Sequence, residues 1–415
     1  MYIATTRGAD AAAGVPGSGD PVRKALAGNV LALGLVSMIT DISSEMVTAV
    51  LPLYFVVGLG LSPLQFGVLD GLYSGVTALV RLLGGHVADR WQRRKAVALT
   101  GYGLSALCKL GLLAACSSVG ALGAVLVADR TGKGLRTAPR DALISLSSTP
   151  ETLGRAFGVH RAMDTTGAFL GPLAAMFLLW VSLGSYDAVF FTSFCFAALG
   201  VLLLAVLVRD RRNPLPDRPA VRELVLSGPF RRICGWAFLL GGVTVGDAFL
   251  YLLLQQRLDL APVAFPLLAL GTAGVYLLLA VPLGRLADRV GRWTVFLGGH
   301  VVLLLAFSLL LTPATGVALA GVALLLHGSF YAATDGVLMA AAGPLLPESS
   351  RTSGLALLQT GQALAKLVSS VLFGLAWTVW GAHTAVLVAV VVLVVVVAGA
   401  AIARPLGGVS CGTAC

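Results

Sequence analysis

Two acidic side chains lie inside a segment that is otherwise apolar. Asp41 and Glu45 stand four residues apart in the stretch Thr40-Asp-Ile-Ser-Ser-Glu45, so a helix would place both on one face. Two carboxylates this close repel each other when both are ionised, so one of them tends to keep a proton. A group that gains and loses a proton in an apolar setting suits a proton carrier. The alternative is that both carboxylates are hydrated near a helix end and serve the structure only.

A third acid, Asp247, follows the glycine-rich stretch that begins at Gly241. Its candidate partner is Lys366, which shares one helical stripe with Gln359 and Gln362 at the spacing i, i+3, i+7. Ionisable groups at bilayer depth cost a few kcal/mol, so this stripe should face away from lipid. We interpret the set as one wall of a cavity. The alternative is a buried ion pair that only fixes packing.

A further polar stripe combines a histidine, a tyrosine and an acid. His327, Tyr331 and Asp335 lie at i, i+4 and i+8, which spans about 12 Å of helix. Histidine is the side chain that most readily changes charge near neutral pH, and a nearby acid tunes that change. The alternative is a histidine that belongs to the apolar core. A similar stripe on another predicted helix consists of Asp70, Ser74, Thr77 and Arg81.

These groups belong to a chain whose composition suits lipid rather than water. Of its 415 residues, 57% are hydrophobic and 12% charged, against about 25% charged in an ordinary soluble domain. A bilayer crossing takes about 20 mostly apolar residues. We predict twelve such helices at 25–57, 62–84, 96–115, 119–141, 156–181, 187–208, 232–256, 262–284, 293–312, 315–342, 353–378 and 382–403.

The charged residues mark the ends and the middle of this all-α polytopic membrane protein. We predict a disordered tail at 1–22, a six-helix bundle at 23–208, a hydrophilic linker at 209–231, a second bundle at 232–404 and a tail at 405–415. Most of the 29 Lys and Arg residues fall in alternate loops, and the opposite loops hold only Arg257. The positive-inside rule then places both termini in the cytoplasm. The net charge of +10 therefore indicates topology and not a nucleic-acid partner.

One loop motif occurs twice, at an offset of 199 residues, after the second helix of each half. Its first copy contains Gly85, Asp89, Arg90 and Arg94, and its second contains Gly284, Asp288, Arg289 and Arg292. The motif resembles the loop pattern G-x-L-a-D-R-x-G-R-R/K of the major facilitator superfamily. This resemblance covers the whole chain and implies twelve transmembrane helices in two six-helix pseudo-symmetric halves that rock about a central cavity.

The same resemblance implies a cytoplasmic gating latch in which the loop aspartate pairs across the two halves. The alternative is a basic loop that only sets the topology. Gln92 stands where the family has its second glycine, which departs from the tight turn expected there.

Two helical motifs also resemble family elements. Arg130-x-x-x-Gly134 is similar to the R-x-x-q-G element, in which the arginine lies close to the proton-coupling site. So many basic groups in one helix require a water-filled face or nearby carboxylates, and we name Asp41 and Glu45 as the candidates, because the resemblance implies that the first and fourth helices adjoin. The other basic groups of this helix alternatively reach the lipid headgroups by snorkelling; they are Lys133, Arg136 and Arg140. Lys109 in the third helix has no partner that its spacing identifies.

The fifth predicted helix carries the run Gly167-Ala-Phe-Leu-Gly171-Pro172, which resembles an antiporter signature and implies a bend. The signature's last two glycines are replaced by Ala175 and Met176. Close helix packing explains the same run equally well.

Together these features predict a secondary transporter in the plasma (bacterial inner) membrane, most simply a monomer, that couples protons to the efflux of a small molecule. The alternative is proton-driven uptake of a charged metabolite. We expect no enzyme activity, because phosphate-binding and hydrolase motifs are absent from the sequence. We also expect no cofactor or metal, because the six cysteines show no paired spacing.

Overall fold

The computed structural model describes residues 21–91, 93–115, 118–148, 152–210, 227–346 and 351–403, with side chains except at 21–27, 81–91 and 351–353. Every regular element in these ranges is helical. The helices are α1 (Pro21–Leu53), α2 (Pro63–Trp91), α3 (Arg94–Ala114), α4 (Val119–Leu146), α5 (Leu153–Val181), α6 (Tyr186–Leu207), α7 (Gly228–Val243), α8 (Asp247–Leu258), α9 (Pro266–Val290), α10 (Arg292–Leu311), α11 (Val317–Ala342) and α12 (Arg351–Ala403). The predicted tails and most of the predicted linker 209–231 lie outside the described residues.

The helices have the length and composition of bilayer crossings. Nine helical stretches within the described ranges are long and apolar enough to span a membrane. The longest, Gly354–Ala403, is divided at Gly381, where φ is 82°, and so provides two crossings. The charged helix α4 and helix α2 complete the twelve predicted spans, although neither is among the nine. The charges that exclude α4 must therefore be satisfied inside the bundle.

The seventh predicted span is a broken helix rather than the continuous one expected over 232–256. Helix α7 ends at Val243 and α8 starts at Asp247, because Thr244 and Gly246 have extended backbone angles. A break inside a membrane needs other partners for the backbone groups it frees. Ser369 of α12 supplies one by donating to the carbonyl of Thr244 at 2.7 Å. The break leaves Asp247 in the first turn of α8, next to the positive end of that helix.

Small residues set the spacing of helices within each half. Gly101 of α3 and Gly132 of α4 face each other so closely that a Cβ on either would lie within 2.7 Å of the other's carbonyl oxygen. In the second half, a Cβ on Gly328 of α11 would lie 2.8 Å from the carbonyl oxygen of Thr272 of α9. These contacts bring backbones together and with them the polar side chains that the backbones carry.

The two halves meet at the end of the molecule that carries the loop 59–62, which we call the closed end. Helix α2 packs on α12 there, and the amide of Leu64 donates to Thr378 at 3.0 Å. Phe249 stacks edge-on against Phe66 of the other half and Phe373, each with ring centroids 4.9 Å apart. This aromatic cluster joins the two halves at the closed end.

Candidate functional site

A cavity of about 260 Å³ lies between the two halves, next to the aromatic cluster. Helices α1 and α2 supply one side, and α8, α9 and α12 the other. Its apolar walls include Leu51, Phe55, Phe66, Leu69 and Phe265. Its ionisable lining consists of Glu45, Asp70, Asp247 and Lys366, and the tyrosines Tyr73 and Tyr251 also line it. The site therefore combines an aromatic surface with charges of both signs.

Asp247 is the centre of the polar cluster in the second half. Lys366 places its Nζ 3.5 Å from Oδ2, and Tyr331 donates a short hydrogen bond to Oδ1. His327 approaches the same oxygen with Nε2 at 3.8 Å, and its Nδ1 lies 3.4 Å from the hydroxyl of Thr272. The structure thus brings together four residues that the sequence analysis singled out on three separate helices.

The other polar residues of these stripes lie elsewhere. Asp335 is exposed and accepts a hydrogen bond from Tyr276 at 3.4 Å, one helical turn beyond Tyr331. Gln359 is exposed and Gln362 half-buried, and neither lines the cavity. Among the predicted wall residues, only Asp247 and Lys366 form its surface directly. Roles for the others stay predictions.

Arg130 has a different partner from the two that we named. Its guanidinium contacts the carboxylate of Asp129, the residue before it, and its Cζ lies 3.8 Å from the ring centroid of Tyr73. Lys109 of α3 also pairs with Asp129, at 2.8 Å. The close α3–α4 packing explains this arrangement, because it brings Lys109 beside α4. Arg130 thus pairs with a carboxylate of its own helix, while Lys133 of α4 is the basic group that approaches Glu45. Electrostatic coupling of Arg130 to the α1 carboxylates stays a prediction.

Glu45 and Asp41 instead face two other groups. Glu45 lines the cavity, with its Oε1 4.0 Å from Nζ of Lys133. Asp41, one turn away on α1, lies near the carboxyl of Asp164 of α5. Two neighbouring carboxyls repel each other when both are ionised, which favours a proton on one of them. Asp41 thus has a second carboxyl near it on α5, in addition to Glu45 on its own helix.

Asp164 is held by neutral and basic groups on three helices. The hydroxyl of Ser37 donates to its Oδ1 at 2.7 Å, and Arg140 places Nη1 3.7 Å from the same oxygen. Arg161 lies 3.9 Å from Oδ2. Asp164 was not among the site residues predicted from the sequence. The sequence did contain a signal for Asp164, because this residue lies three positions before Gly167. At Gly167, α5 approaches the backbone of another helix.

The run Gly167-Ala-Phe-Leu-Gly171-Pro172 is the face of α5 that packs on α1. A Cβ on Gly167 would collide with the carbonyl oxygen of Met38, and one on Gly171 would lie 2.7 Å from the Cβ of Glu45. Pro172 lines the cavity. Close packing therefore accounts for the two glycines and for the position of the α1 carboxylates.

Asp70 connects the two halves directly. It belongs to α2 but accepts a hydrogen bond from Ser370 of α12 at 2.6 Å. A Cβ on Gly246, at the break between α7 and α8, would lie 3.0 Å from the same carboxylate oxygen. The sequence placed Asp70 on a polar stripe without identifying this partner in the other half.

The second copy of the repeated loop motif is ordered within its own half. Asp288 pairs with Arg292 at 3.0 Å, and Arg292 donates to the carbonyl of Ala340 at the end of α11. Gly291 has φ of 104°, a conformation that glycine adopts most easily. Among the side chains that the structure describes, Asp288 pairs within its own half, and its pairing across the halves stays a prediction. Gly284 is half-buried and Arg289 exposed at the same end.

The first copy of the loop motif lies at the end of α2 and the start of α3. Gly85, Asp89 and Arg90 belong to α2, and their side chains lie outside the description. Arg94, at the start of α3, is buried. The latch function of both loops remains a prediction.

Comparisons with known proteins agree with this architecture. The sequence model of the Major Facilitator Superfamily matches residues 33–275 and 248–407. An uncharacterized MFS-type transporter from Methanocaldococcus jannaschii is 30% identical over 373 residues, which cover 85% of this chain and 89% of that protein. The multidrug resistance protein MdtH from Photorhabdus laumondii is 30% identical over 155 residues, covering 37% and 36% of the two chains.

A solved structure shows the same fold. A crystal structure of a variant of the nucleoside transporter NupG superposes with a TM-score of 0.77 at 15% identity, covering 90% of this chain and 99% of that one. The match confirms the all-α polytopic fold predicted from the repeat.

Proposed function

We propose, from the premise that the chain belongs to the major facilitator superfamily and is a secondary transporter, that it couples the efflux of a small molecule to the movement of protons. The observation that carries the proposal is that the carboxyls of Asp41 and Asp164 lie near each other, one helical turn from the cavity residue Glu45. Two neighbouring carboxyls hold one proton more readily than none, because their charges repel when both are ionised. Such a pair can load and release a proton during each cycle.

The proton site and the cavity are adjacent. Glu45 lies one turn from Asp41 on α1 and faces the cavity, where Lys133 is its basic neighbour. A change in the charge of the Asp41–Asp164 pair alters the field at Glu45 and Lys133, because the surrounding medium is of low dielectric constant. In our proposal, this field is what links proton loading to the affinity of the cavity for its substrate.

The choice of efflux rests on the aromatic and apolar part of the cavity. Phe55, Phe66 and Phe265 offer an apolar surface to a partly apolar molecule. Similarity to MdtH over part of the chain supports the same direction. We also propose that the protein lies in the plasma membrane as a monomer with both termini in the cytoplasm, since the basic loops share one side.

One observation favours the alternative of proton-driven uptake of a charged metabolite. Asp247 and Lys366 both line the cavity at 3.5 Å from each other, and each keeps about a third of its side chain exposed, at 31% and 36%. A substrate that carries both a cationic and an anionic group could replace each partner of this pair in turn.

The two directions give opposite results in cells that lack their own efflux pumps. An exporter raises tolerance to some members of a panel of toxic organic compounds, whereas an importer lowers tolerance to compounds it admits. A compound to which tolerance changes is then added to sealed vesicles. These vesicles contain the purified protein in their membrane and a pH-sensitive dye in their lumen. Efflux coupled to protons changes the lumenal pH, and flux without any pH change would refute the coupling.

Variants identify the proton site in the same assay. Asp41→Asn combined with Asp164→Asn removes both carboxyls of the pair, so we expect at least a tenfold loss of the pH response. Asp187→Asn is the matched control, because Asp187 is an exposed acid in the first turn of α6. An unchanged pH response in the double variant places the coupling site elsewhere.

A further inference from the structure

A buried histidine lies one helical turn from the shared-proton pair. His160 belongs to α5 and keeps only 4% of its surface exposed. Asp164 follows at i+4 and so lies on the same face. Within the part of the chain that the structure describes, Nε2 of His160 has no hydrogen-bond partner although the atom is buried. A buried polar atom left unpaired costs free energy, which calls for an explanation beyond packing.

The position of His160 extends the series of titratable groups toward the end opposite the closed end. Helices α1 and α5 run parallel in register, since Gly34 meets Met163 and Met38 meets Gly167. Along this interface the order is His160, Asp164, Asp41 and Glu45, with Glu45 at the cavity. His160 lies seven residues after the first residue of α5, or about 10 Å from that end of the helix. The neighbouring residues 157, 158 and 161 are exposed.

Charged groups of two helices act on the imidazole. Arg140 and Asp141 belong to α4, and Arg161 and Asp164 to α5. From α1, the hydroxyl of Ser37 contacts both Asp164 and Arg140, the latter at 3.1 Å. The charged groups that act on the ring thus comprise two cations and two acids. An imidazole in such a setting is able to pass a proton, since one ring nitrogen can bind a proton as the other releases one.

We infer that His160 relays protons between the Asp41–Asp164 carboxyl pair and the aqueous space at the end opposite the closed end. The inference rests on the proposed proton coupling and adds to it the route that the proton takes. Within the described residues, the ion pairs of Asp164 join it to Arg140 and Arg161, and His160 does not contact it directly. Each transfer therefore moves one proton from a ring nitrogen of His160 through an intervening water molecule to a carboxylate oxygen of Asp164, and the ring regains one from bulk water. His160 is thus the entry and exit point, and the carboxyl pair is the storage site.

The experiment measures the rate of proton uptake by the carboxyl pair in purified full-length protein without substrate. A light flash releases protons from a caged acid, and time-resolved infrared spectroscopy follows the C=O stretch of protonated carboxyls. The difference between the unmodified protein and Asp41→Asn identifies the signal of the pair. We expect His160→Gln to slow this signal at least tenfold while leaving its final amplitude unchanged.

A control and a rescue separate a relay from a structural role. His300 is a buried histidine of α10 whose Nδ1 lies 2.9 Å from the carbonyl oxygen of Phe296, so His300→Gln should leave the rate unchanged. Free imidazole added to His160→Ala should restore much of the rate, which no loss of packing would allow. An unchanged rate in His160→Gln, or failure of imidazole to restore the rate in a folded His160→Ala, overturns the relay. Absence of any pair signal in the unmodified protein would instead overturn the proposed coupling.

Discussion

At the residue scale, buried charges of the first half are grouped around a shared carboxylate. Lys109, Asp129 and Arg130 are all buried and form two ion pairs that share one carboxylate. The guanidinium of Arg130 also lies over the ring of Tyr73, and Tyr73 lines the cavity. Asp129 therefore positions Arg130 and compensates Lys109 at the same time.

We predict that Asp129→Asn destabilises the protein strongly, because it leaves two buried cations without a counter-charge. Removing one partner of a buried pair costs about 3–5 kcal/mol. Lys109→Met should cost clearly less, since the pair of Arg130 and Asp129 survives. Thermal unfolding in detergent measures both variants against Asp187→Asn, and equal unfolding temperatures for Asp129→Asn and Lys109→Met would contradict the arrangement.

The sequence identified most of the groups that carry charge but few of their partners. Periodicity placed Asp41 with Glu45 and marked the stripes that hold His327, Tyr331 and Lys366, because it depends on a single helix. Asp164 and Asp129 each have a partner on another helix, and these two separate contacts form only because neighbouring helices pack closely. Partner choice depends on packing distances between helices, which one helix's pattern does not contain.

At the element scale, the position of the proton pair depends on how closely α1 and α5 approach. Gly167 faces the backbone of Met38, and the two helices stay parallel along this seam. The same seam carries Ser37, Asp41 and Asp164. A wider seam would separate the carboxyls that must share a proton.

We predict that Gly167→Ala lowers stability and weakens the Asp41–Asp164 contact. The new Cβ collides with the Met38 carbonyl, and overpacking of this kind costs about 1–3 kcal/mol. Gly158→Ala is the matched control on the same helix, because a Cβ there meets nothing within 4 Å. Unfolding temperature and the infrared signal of the pair test both variants. Equal behaviour of the two would mean that the seam does not hold the pair in place.

The break between α7 and α8 is a feature that hydropathy does not predict. Apolar composition over 232–256 predicted a continuous helix, and Gly246 alone is a weak signal for a break. The break is stabilised from outside, by Ser369 on Thr244 and by the cluster around Asp247. The twelve spans were predictable from composition, whereas this interruption depends on side chains of α11 and α12.

At the scale of the whole molecule, a hydrogen bond beside the cavity joins the two halves. Asp70 of the first half bonds to Ser370, one turn after Lys366 on α12. Lys366 in turn pairs with Asp247 in the cavity. Opening of the closed end must separate Asp70 from Ser370, so this hydrogen bond belongs to one of the two states that a rocking transporter alternates between.

We predict that Ser370→Ala shifts this equilibrium toward the state that is open at the closed end. Loss of a hydrogen bond worth about 1 kcal/mol changes the ratio of two states about fivefold. Spin labels are attached at Gln65→Cys and Val379→Cys after the native cysteines have been replaced by serine. Double electron–electron resonance then measures the distance between α2 and α12. Ser329→Ala is the control, since its hydroxyl bonds only within α11, to the carbonyl of Leu325. The long-distance population should rise in Ser370→Ala alone. A rise in both variants, or in neither, would show that the Asp70–Ser370 bond does not hold the closed end shut.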